Sequence, residues 1–271
     1  MAINVVINPE LVRAGEFCKK KKYRKAAQIL QKLSDIGNHI AQYNLGHMYL
    51  NGHGFQRDDG AAFRYFKMSA DQKYAPAINS LGVMYQNGSG VEADQYKALE
   101  LFITAGEMGD TEAMHNVGAI LYNGDAVPKN IKQAIVWLEK SSDNGDVDAQ
   151  FLLGKIYYFG KDVKGNYDIA AKYFKLAADQ GHLISIFTLG VMYDHGRGVK
   201  EDDVEAVRLY RIAADQGHPT AQNNLGTMYE CGTGVTQNFP EALKWYKAAA
   251  SNGDENANNN IMVMRGKGMA S

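Results

Sequence analysis

The sequence has few of the residues that stabilise small secreted proteins, and no segment suited to crossing a membrane. Only two of its 271 residues are cysteine. Cys18 and Cys231 lie far apart in the chain, so we expect no disulfide framework and a reducing compartment. No apolar stretch approaches the ~18 residues that a membrane span needs, and residues 1–10 do not resemble a signal peptide. We therefore expect a cytoplasmic location; a signal peptide removed earlier would leave the same sequence.

The sequence also lacks an overall charge imbalance. It carries 29 basic and 30 acidic residues, for a formal net charge of -1. This balance gives no reason to expect a nucleic-acid partner. One run, formed by Lys19–Lys22, Arg24 and Lys25, concentrates six basic residues. Such a run is either a solvated connection between helices, which is the commoner case, or a targeting or phosphate-contacting patch.

Motifs for catalysis or metal binding are missing. Gly-x-Gly pairs such as Gly52 and Gly54 have no strand before them and no Lys-Ser/Thr after them, so we interpret them as turn glycines. The histidines show no metal-ligand spacing, and His182 and His218 occupy equivalent positions that indicate a framework role. No nucleophile elbow or activated cysteine is present. We predict no catalytic activity, no metal and no cofactor.

What the sequence does contain is one pattern that occurs six times at intervals of 36 residues. A Leu-Gly pair, replaced by Val-Gly in the third copy, marks each occurrence. The glycines of this pair are Gly46, Gly82, Gly118, Gly154, Gly190 and Gly226. Self-similarity at this period is typical of repeat architectures.

Each copy predicts two helices. Ala41, Leu45, Met48 and Tyr49 follow the spacing of one apolar helix face, and a glycine then ends the helix. A column of residues that cap helix N-termini follows the loop. These residues are Asp58, Asp94, Asn130, Asn166, Asp202 and Asn238. Gln133, Glu205 and Glu241 stand three positions later and predict capping boxes in three copies.

The pattern predicts an all-α solenoid, because one helix pair cannot bury both of its faces and must stack on another. We expect about seven helix pairs and a C-terminal capping helix. The predicted organisation is an N-terminal tail (1–9), a capping helix pair (10–37), six repeats (38–253) and a capping helix with a tail (254–271). Residues 264–271 are expected to fray because no obvious contact holds them.

The repeated string Ala-x-x-x-Leu-Gly-x-Met-Tyr-x-x-Gly-x-Gly-Val, followed by Ala, an aromatic pair and Ala-Ala-x-x-Gly, closely resembles the Sel-like repeat (SLR). The match is clearest at residues 182–217 and 218–253 and extends over 38–253. The SLR family is related to the tetratricopeptide repeats. The resemblance implies a right-handed α/α superhelix with scaffold or adaptor roles in bacteria and eukaryotes. The paired cysteines of some secreted bacterial relatives are absent here, which argues against their extracellular setting.

If the pairs stack as in tetratricopeptide arrays, the first helix of each pair lines a concave groove, and the variable positions face it. The candidate partner-binding residues are Tyr43, His47, Asn79, His115, Tyr122, Phe151, Lys155, Tyr158, Phe159, Phe187 and Asn223. The five aromatic residues from Tyr122 to Phe187 are predicted to form an interface patch. The alternative is that the fourth pair packs differently, since Asp162 replaces the second glycine of its loop.

These observations predict a non-catalytic scaffold that binds a protein or peptide in the groove. A dedicated inhibitor, such as an immunity protein that blocks one toxin or enzyme, is the alternative, and it needs a broad contact of roughly 1,600 Å². A catalyst would need polar groups that converge in a deep pocket, and nothing in the sequence indicates one. The scaffold hypothesis requires the groove aromatics to be exposed while the framework aromatics are buried.

Overall fold

The computed structural model describes residues 8–124, 127–161, 163–267 and 269. Within these ranges the protein forms fifteen α-helices and no strand. The helices are α1 (Pro9–Lys19), α2 (Tyr23–Asp35), α3 (His39–Leu50), α4 (Asp59–Ala70), α5 (Ala75–Asn87), α6 (Gln95–Glu107), α7 (Thr111–Asn123), α8 (Ile131–Asp143), α9 (Val147–Phe159), α10 (Tyr167–Asp179), α11 (Leu183–Asp194), α12 (Asp203–Asp215), α13 (Pro219–Cys231), α14 (Phe239–Ser251) and α15 (Glu255–Gly266). Residues 1–7 of the predicted N-terminal tail, residues 125 and 126 of the third repeat, Asp162 and residues 268, 270 and 271 lie outside the described ranges.

The helices form two compact units. The first ends at Asn144 and contains α1–α8, and the second begins at Gly145 and contains α9–α15. Within each unit every helix packs against the next one along the chain, so contacts inside a pair alternate with contacts between pairs. Each unit is therefore a stack of helix pairs, and α15 is a lone helix at the end of the second stack. This arrangement confirms the predicted all-α solenoid of seven helix pairs and a capping helix.

The predicted N-caps of the second helices are confirmed. In all six copies the side-chain oxygen of the capping Asp or Asn accepts from the backbone N–H three residues later, at 2.8–3.2 Å. The capping boxes predicted at Gln133, Glu205 and Glu241 are wrong. The carboxylates of Glu205 and Glu241 pair with Arg208 and Lys244 instead, and the N-cap N–H of Asn130 donates to the carbonyl of Leu121.

The backbone N–H that a capping box would satisfy has another acceptor. In each copy the N-cap N–H donates to the carbonyl of the residue that ends the apolar face of the preceding helix, as in the bond from Asp202 to Tyr193. These six bonds span 2.8–3.1 Å. They tie the end of the first helix to the start of the second, and so fix the geometry of every loop.

The Leu-Gly column exists because the two helices of a pair approach closely. A Cβ atom at Gly154 would lie 2.7 Å from Cδ1 of Phe174, closer than real Cβ contacts. Gly46 and Gly226 stand in the same relation to the rings of Phe66 and Tyr246. These rings are at most 1% exposed. The glycine thus leaves room for a large side chain that fills the centre of its own pair.

The second glycine of the loop allows a different close approach. A Cβ atom at Gly198 would overlap the carbonyl of Tyr167, and one at Gly234 would overlap the carbonyl of Asp203. Tyr167 and Asp203 are the first residues of the second helix in the preceding pair. Each of these loops therefore lies directly on the first turn of a helix in the neighbouring pair.

The C-terminal helix is longer than the sequence indicated. We expected fraying from Met264 onwards, but α15 continues to Gly266 and Met264 is fully buried. The backbone N–H of Met269 also donates to the carbonyl of Met264 at 3.0 Å. The prediction was wrong for Met264 because it assigned no packing partner to this residue, which belongs to the core of the second unit together with Tyr246 and Ile261.

Candidate partner-binding surface

In the first unit, Tyr43 and His47 lie in an aromatic cluster that joins neighbouring pairs. The ring centroid of Tyr43 is 4.5 Å from His47 and 5.3 Å from Tyr74, and His47 is 4.9 Å from the buried Phe66. Both side chains are half-buried. Burial raises the pKa of Tyr43 and lowers the pKa of His47. Their ring contacts with Tyr74 and Phe66 therefore contribute to packing between the helices of the first unit.

Asn79 does not suit the role predicted for it. Its side chain is 4% exposed, and its Oδ1 accepts a hydrogen bond from Nδ2 of Asn116 at 3.1 Å. An amide that bridges two pairs in the interior offers nothing to a partner.

His115 and Tyr122 are half-buried, and Nζ of Lys129 lies 5.0 Å from the centroid of the Tyr122 ring.

In the second unit, Phe151 and Phe187 pack on the N-caps of the following first helices. Phe151 is 4.5 Å from the ring of His182, and Phe187 stacks on His218 at 4.4 Å with an interplanar angle of 22°. Both phenylalanines are half-buried, against our expectation of exposed groove aromatics. The expectation failed because the helical period does not show what the next pair places over a side chain.

His182 and His218 cap the first helices of their pairs. Nδ1 of His182 accepts from the backbone N–H of Ser185, and Nδ1 of His218 accepts from that of Ala221, both at 3.2 Å. Asp254 occupies the equivalent position as the N-cap of α15. The framework role predicted for the histidines is thereby confirmed.

Asn223 and Lys155 complete the predicted set in the second unit. Oδ1 of Asn223 accepts from Nδ2 of Asn260 at 2.9 Å, which repeats the bridge made by Asn79. Nζ of Lys155 lies 5.4 Å from the centroid of the Phe151 ring. Both side chains are half-buried, so each presents part of its surface to solvent.

Tyr158, Phe159 and Tyr167 form the most exposed group of aromatic side chains near the predicted patch; we call it the aromatic surface. Phe159 is 61% exposed and Tyr167 is 44% exposed. The Tyr158 ring lies between them, 5.2 Å from Phe159 and 5.3 Å from Tyr167. Nη1 of Arg197 donates to the Tyr158 hydroxyl at 3.3 Å. An exposed apolar centre beside an exposed guanidinium is typical of protein-binding surfaces.

Sequence reasoning missed Tyr167 and Arg197. Tyr167 follows the N-cap of α10, where three other copies have Asp59, Gln95 and Asp203 and two have Ile131 and Phe239, so the residue type at this position gave only a weak signal. Arg197 lies in a loop, and only the fold brings it to Tyr158. The structure thus joins Tyr158 and Phe159 of the predicted patch with two residues that were not predicted.

Later copies replace the aromatic residue at the Tyr158 position with an acid. The carboxylates of Asp194 and Glu230 accept from the hydroxyls of Tyr210 and Tyr246 at 2.9 and 2.8 Å. Burial, followed by the nearby carboxylate, raises the pKa of Tyr210 well above its usual value, and burial is also the main cause of the raised pKa of Tyr246. These copies therefore use the position for internal hydrogen bonds.

The described ranges contain no group of three or more His, Cys, Asp or Glu side chains arranged to hold a metal ion. Among the helices of these same ranges, none has the length and apolar character needed to span a membrane. The candidate site consists of the aromatic rings of Tyr158, Phe159 and Tyr167 and the guanidinium of Arg197.

The stacked helix pairs define the class of an α-helical repeat protein. The Sel1 repeat model matches six times, at residues 39–74, 75–110, 111–146, 147–182, 184–218 and 219–254, and the chain belongs to the Sel1 repeat family. Proteins of this family generally act as non-catalytic scaffolds for protein interaction.

Two solved structures illustrate the similarity. A protective antigen of uropathogenic Escherichia coli with an SLR fold is 29% identical, with a TM-score of 0.85 over 90% of this chain. The chain spans about half, 52%, of that antigen. A Sel1 repeat protein from Oxalobacter formigenes is 30% identical, with a TM-score of 0.77, over 89% of this chain and 99% of its own. No curated protein matches the chain.

We predict that acid destabilises the second unit through His218. Burial lowers the pKa of His218 in the folded state, so the neutral ring contributes stability that is present above its unfolded pKa near 6.5 and is lost as the pH falls. Protonation of Nδ1 would also remove the acceptor for Ala221. We expect a stability loss of at most about 1.4 kcal/mol per pH unit below that value.

The measurement is urea unfolding of wild type and His218→Asn at about pH 8 and about pH 5. Asparagine caps helices without titrating, so the variant should lose less stability between the two values. His47, whose pKa is also lowered, is present in both proteins and cancels in the comparison. An identical pH dependence in the two proteins would contradict the assignment to His218.

Proposed function

We propose that this chain is a non-catalytic scaffold that binds a partner protein or peptide through the aromatic surface of its second unit. The observation that carries the proposal is the 61% exposure of Phe159 next to the rings of Tyr158 and Tyr167. Framework aromatics such as Phe174 and Tyr210 are almost fully buried, whereas Phe159 and Tyr167 lie at the surface. A partner that covers these rings would remove apolar area from water.

The remaining candidate residues have a supporting part in this proposal. Phe151 and Phe187 hold the cap histidines of the next pair, and Lys155 lies over the Phe151 ring. All three side chains are half-buried. Truncating them would disturb the stack, and a binding test should leave them intact. We retain the cytoplasm as the proposed location, which fractionation of the producing cells would test.

The experiment is an affinity capture from a lysate of the producing cells with wild type and a Phe159→Ala/Tyr167→Ala variant. Truncating an interface hot spot costs on the order of 2 kcal/mol, so we expect capture of the partner to fall at least ~10-fold. Both side chains are exposed, and the variant should unfold at nearly the same urea concentration as wild type.

A matched control removes comparable exposed apolar groups elsewhere. Tyr96→Ala/Val204→Ala alters side chains that are 71% and 68% exposed, and it should capture the partner as wild type does. Equal loss in both variants, or no loss in either, would contradict the proposal. Recovery of one enzyme in equal stoichiometry, inhibited by the chain, would favour the inhibitor alternative.

A further inference from the structure

The lysine-rich run lies at one end of the first unit and forms part of a larger basic region. Residues 10–35 hold eight basic and three acidic side chains, a formal charge of +5, which leaves -6 for the rest of the chain. The basic residues are Arg13, Lys19, Lys20, Lys21, Lys22, Arg24, Lys25 and Lys32, and the acidic residues are Glu10, Glu16 and Asp35. Charge of one sign is thus concentrated in the capping pair α1–α2.

The basic region borders a cleft between α2 and the loop that follows α3. The cleft has a volume of about 680 Å³, and Arg24, Gln28, Gln31 and Lys32 line one side. Gly54 and Phe55 line the other side. A smaller adjoining cleft of about 440 Å³ shares Arg24 and Gly54 and adds Lys21, Lys22 and Lys25. We call the two together the basic cleft.

The polar groups of the basic cleft are arranged for an elongated ligand. Arg24, Gln28 and Lys32 are four residues apart on α2, so they lie on one face with about 12 Å between the first and the last. Alternate side chains of an extended peptide are ~7 Å apart, so residues i and i+4 span ~13 Å. An extended segment with acidic residues at that separation would match Arg24 and Lys32. Phe55 and Ala27 supply an apolar lining for a side chain between them.

The cations of the basic cleft have few partners within the protein. In the described part of the chain, Lys21, Lys22, Arg24 and Lys32 take part in no ion pair, and all four are exposed. Gln31 is held by neighbours, since its Oε1 accepts from the Tyr65 hydroxyl at 2.9 Å and its Nε2 donates to Asp35 at 2.8 Å. Asp35 is the first acidic residue after Lys32 and ends the basic region.

Lys21, at the edge of the basic cleft, has a backbone conformation that residues other than glycine rarely adopt. Its φ is +54°, in the left-handed region that favours glycine, and Gly52 takes that conformation at the end of α3. A lysine here strains the backbone, yet it puts another cation beside the cleft. Lys73, which is not part of the lining of the basic cleft, takes the same conformation with a φ of +62°, so this strain is not specific to the cleft.

We propose that the basic cleft docks an acidic, extended segment of a partner protein. Nucleic acid fits less well, because the basic region ends after two helices and the rest of the chain is acidic. The apolar lining by Phe55 and the amide of Gln28 also suit a peptide, whose backbone offers hydrogen-bonding groups. This site is separate from the aromatic surface, so the two proposals can fail independently.

The test measures fluorescence anisotropy of a labelled peptide, Glu-Ala-Glu-Leu-Glu-Ala-Glu, titrated with the full chain at low ionic strength. A peptide with every Glu replaced by Gln is the ligand control. We expect the acidic peptide to bind at least ~10-fold more tightly than the Gln peptide, and salt to weaken its binding. Equal binding of the two peptides would overturn the proposal.

Charge reversal locates the site. Lys21→Glu/Arg24→Glu/Lys32→Glu should weaken binding of the acidic peptide at least ~10-fold, since attractive pairs become repulsive. The variant Lys164→Glu/Lys200→Glu/Lys247→Glu makes the same charge change on exposed residues of the second unit. It should weaken binding of the acidic peptide less than ~2-fold. An equal loss in the two variants would mean that only net charge matters and would overturn the proposal.

Two further measurements separate docking from folding and from nucleic-acid binding. Lys21→Gly should raise the urea midpoint of unfolding by relieving the backbone and should still weaken peptide binding. A stabilised variant with undiminished binding would show that Lys21 plays no part in docking, against the proposal. A single-stranded oligonucleotide that binds more tightly than the peptide, and is lost in the same charge-reversal variant, would assign the cleft to nucleic acid instead.

Discussion

Gly154→Ala is expected to destabilise the second unit by about 1–3 kcal/mol, although alanine is ordinarily the better helix former. The added methyl group would lie 2.7 Å from Cδ1 and Cε1 of Phe174, which is 1% exposed. Either the ring or the helix must move, because α9 and α10 are packed around it. Urea unfolding followed by circular dichroism measures the loss.

A double-mutant cycle tests the cause of this loss. Phe174→Ala alone should cost about 3–5 kcal/mol, since it leaves a cavity between the helices of the pair. The methyl group of Gly154→Ala would then occupy part of that cavity, so the double variant should cost less than the sum of the two. Strict additivity would show that the ring is not the obstacle.

Gly15→Ala is the matched control for helix propensity. Gly15 lies within α1, is exposed, and has no atom within 4 Å of an added Cβ. The substitution should stabilise the protein by about 0.5–1 kcal/mol. A loss of stability at Gly15 similar to that at Gly154 would indicate a general intolerance of alanine and not a specific close approach.

Alkaline pH is expected to destabilise the second unit steeply above about pH 10. Tyr210 and Tyr246 are at most 1% exposed and donate to Asp194 and Glu230, and their pKa values are raised well above the ordinary 10.0. Above that value the unfolded chain loses protons that the folded protein keeps. Stability is therefore complete below the unfolded pKa and falls as the pH rises. The slope should be about 1.4 kcal/mol per pH unit for each tyrosine.

The comparison is between wild type and Tyr210→Phe/Tyr246→Phe in urea at about pH 8 and about pH 11. The variant should be less stable at the lower pH, because two hydrogen bonds to carboxylates are lost at about 1.5–3 kcal/mol each. Between about pH 8 and about pH 11 the variant should lose much less free energy of unfolding than wild type. Tyr96→Phe alters an exposed tyrosine and should follow wild type at both values; a parallel decline in all three proteins would contradict the assignment.

The sequence by itself determined the fold, because the fold depends on properties that each copy carries within its own 36 residues. The N-cap column marks where the second helix of each pair begins. The Leu-Gly column marks where the two helices of a pair approach closely. Asp58 and Asn238 cap their helices as predicted, with bonds to residues only three positions away. Local rules of this kind can be recognised from residue type and spacing, and repetition makes them unmistakable.

Only the tertiary structure decided which variable side chains are accessible. The position of Phe187 faces the N-cap 31 residues later, where His218 stacks on it, and Asn79 meets Asn116 in the following pair. Exposure at these positions depends on what the next pair contributes, which the period of one helix does not specify. Phe159 and Tyr167 remain exposed because their contacts with Tyr158 leave most of one ring and much of the other uncovered. Periodicity fixes the direction of a side chain from its own helix, while packing between successive pairs determines whether that side chain reaches solvent.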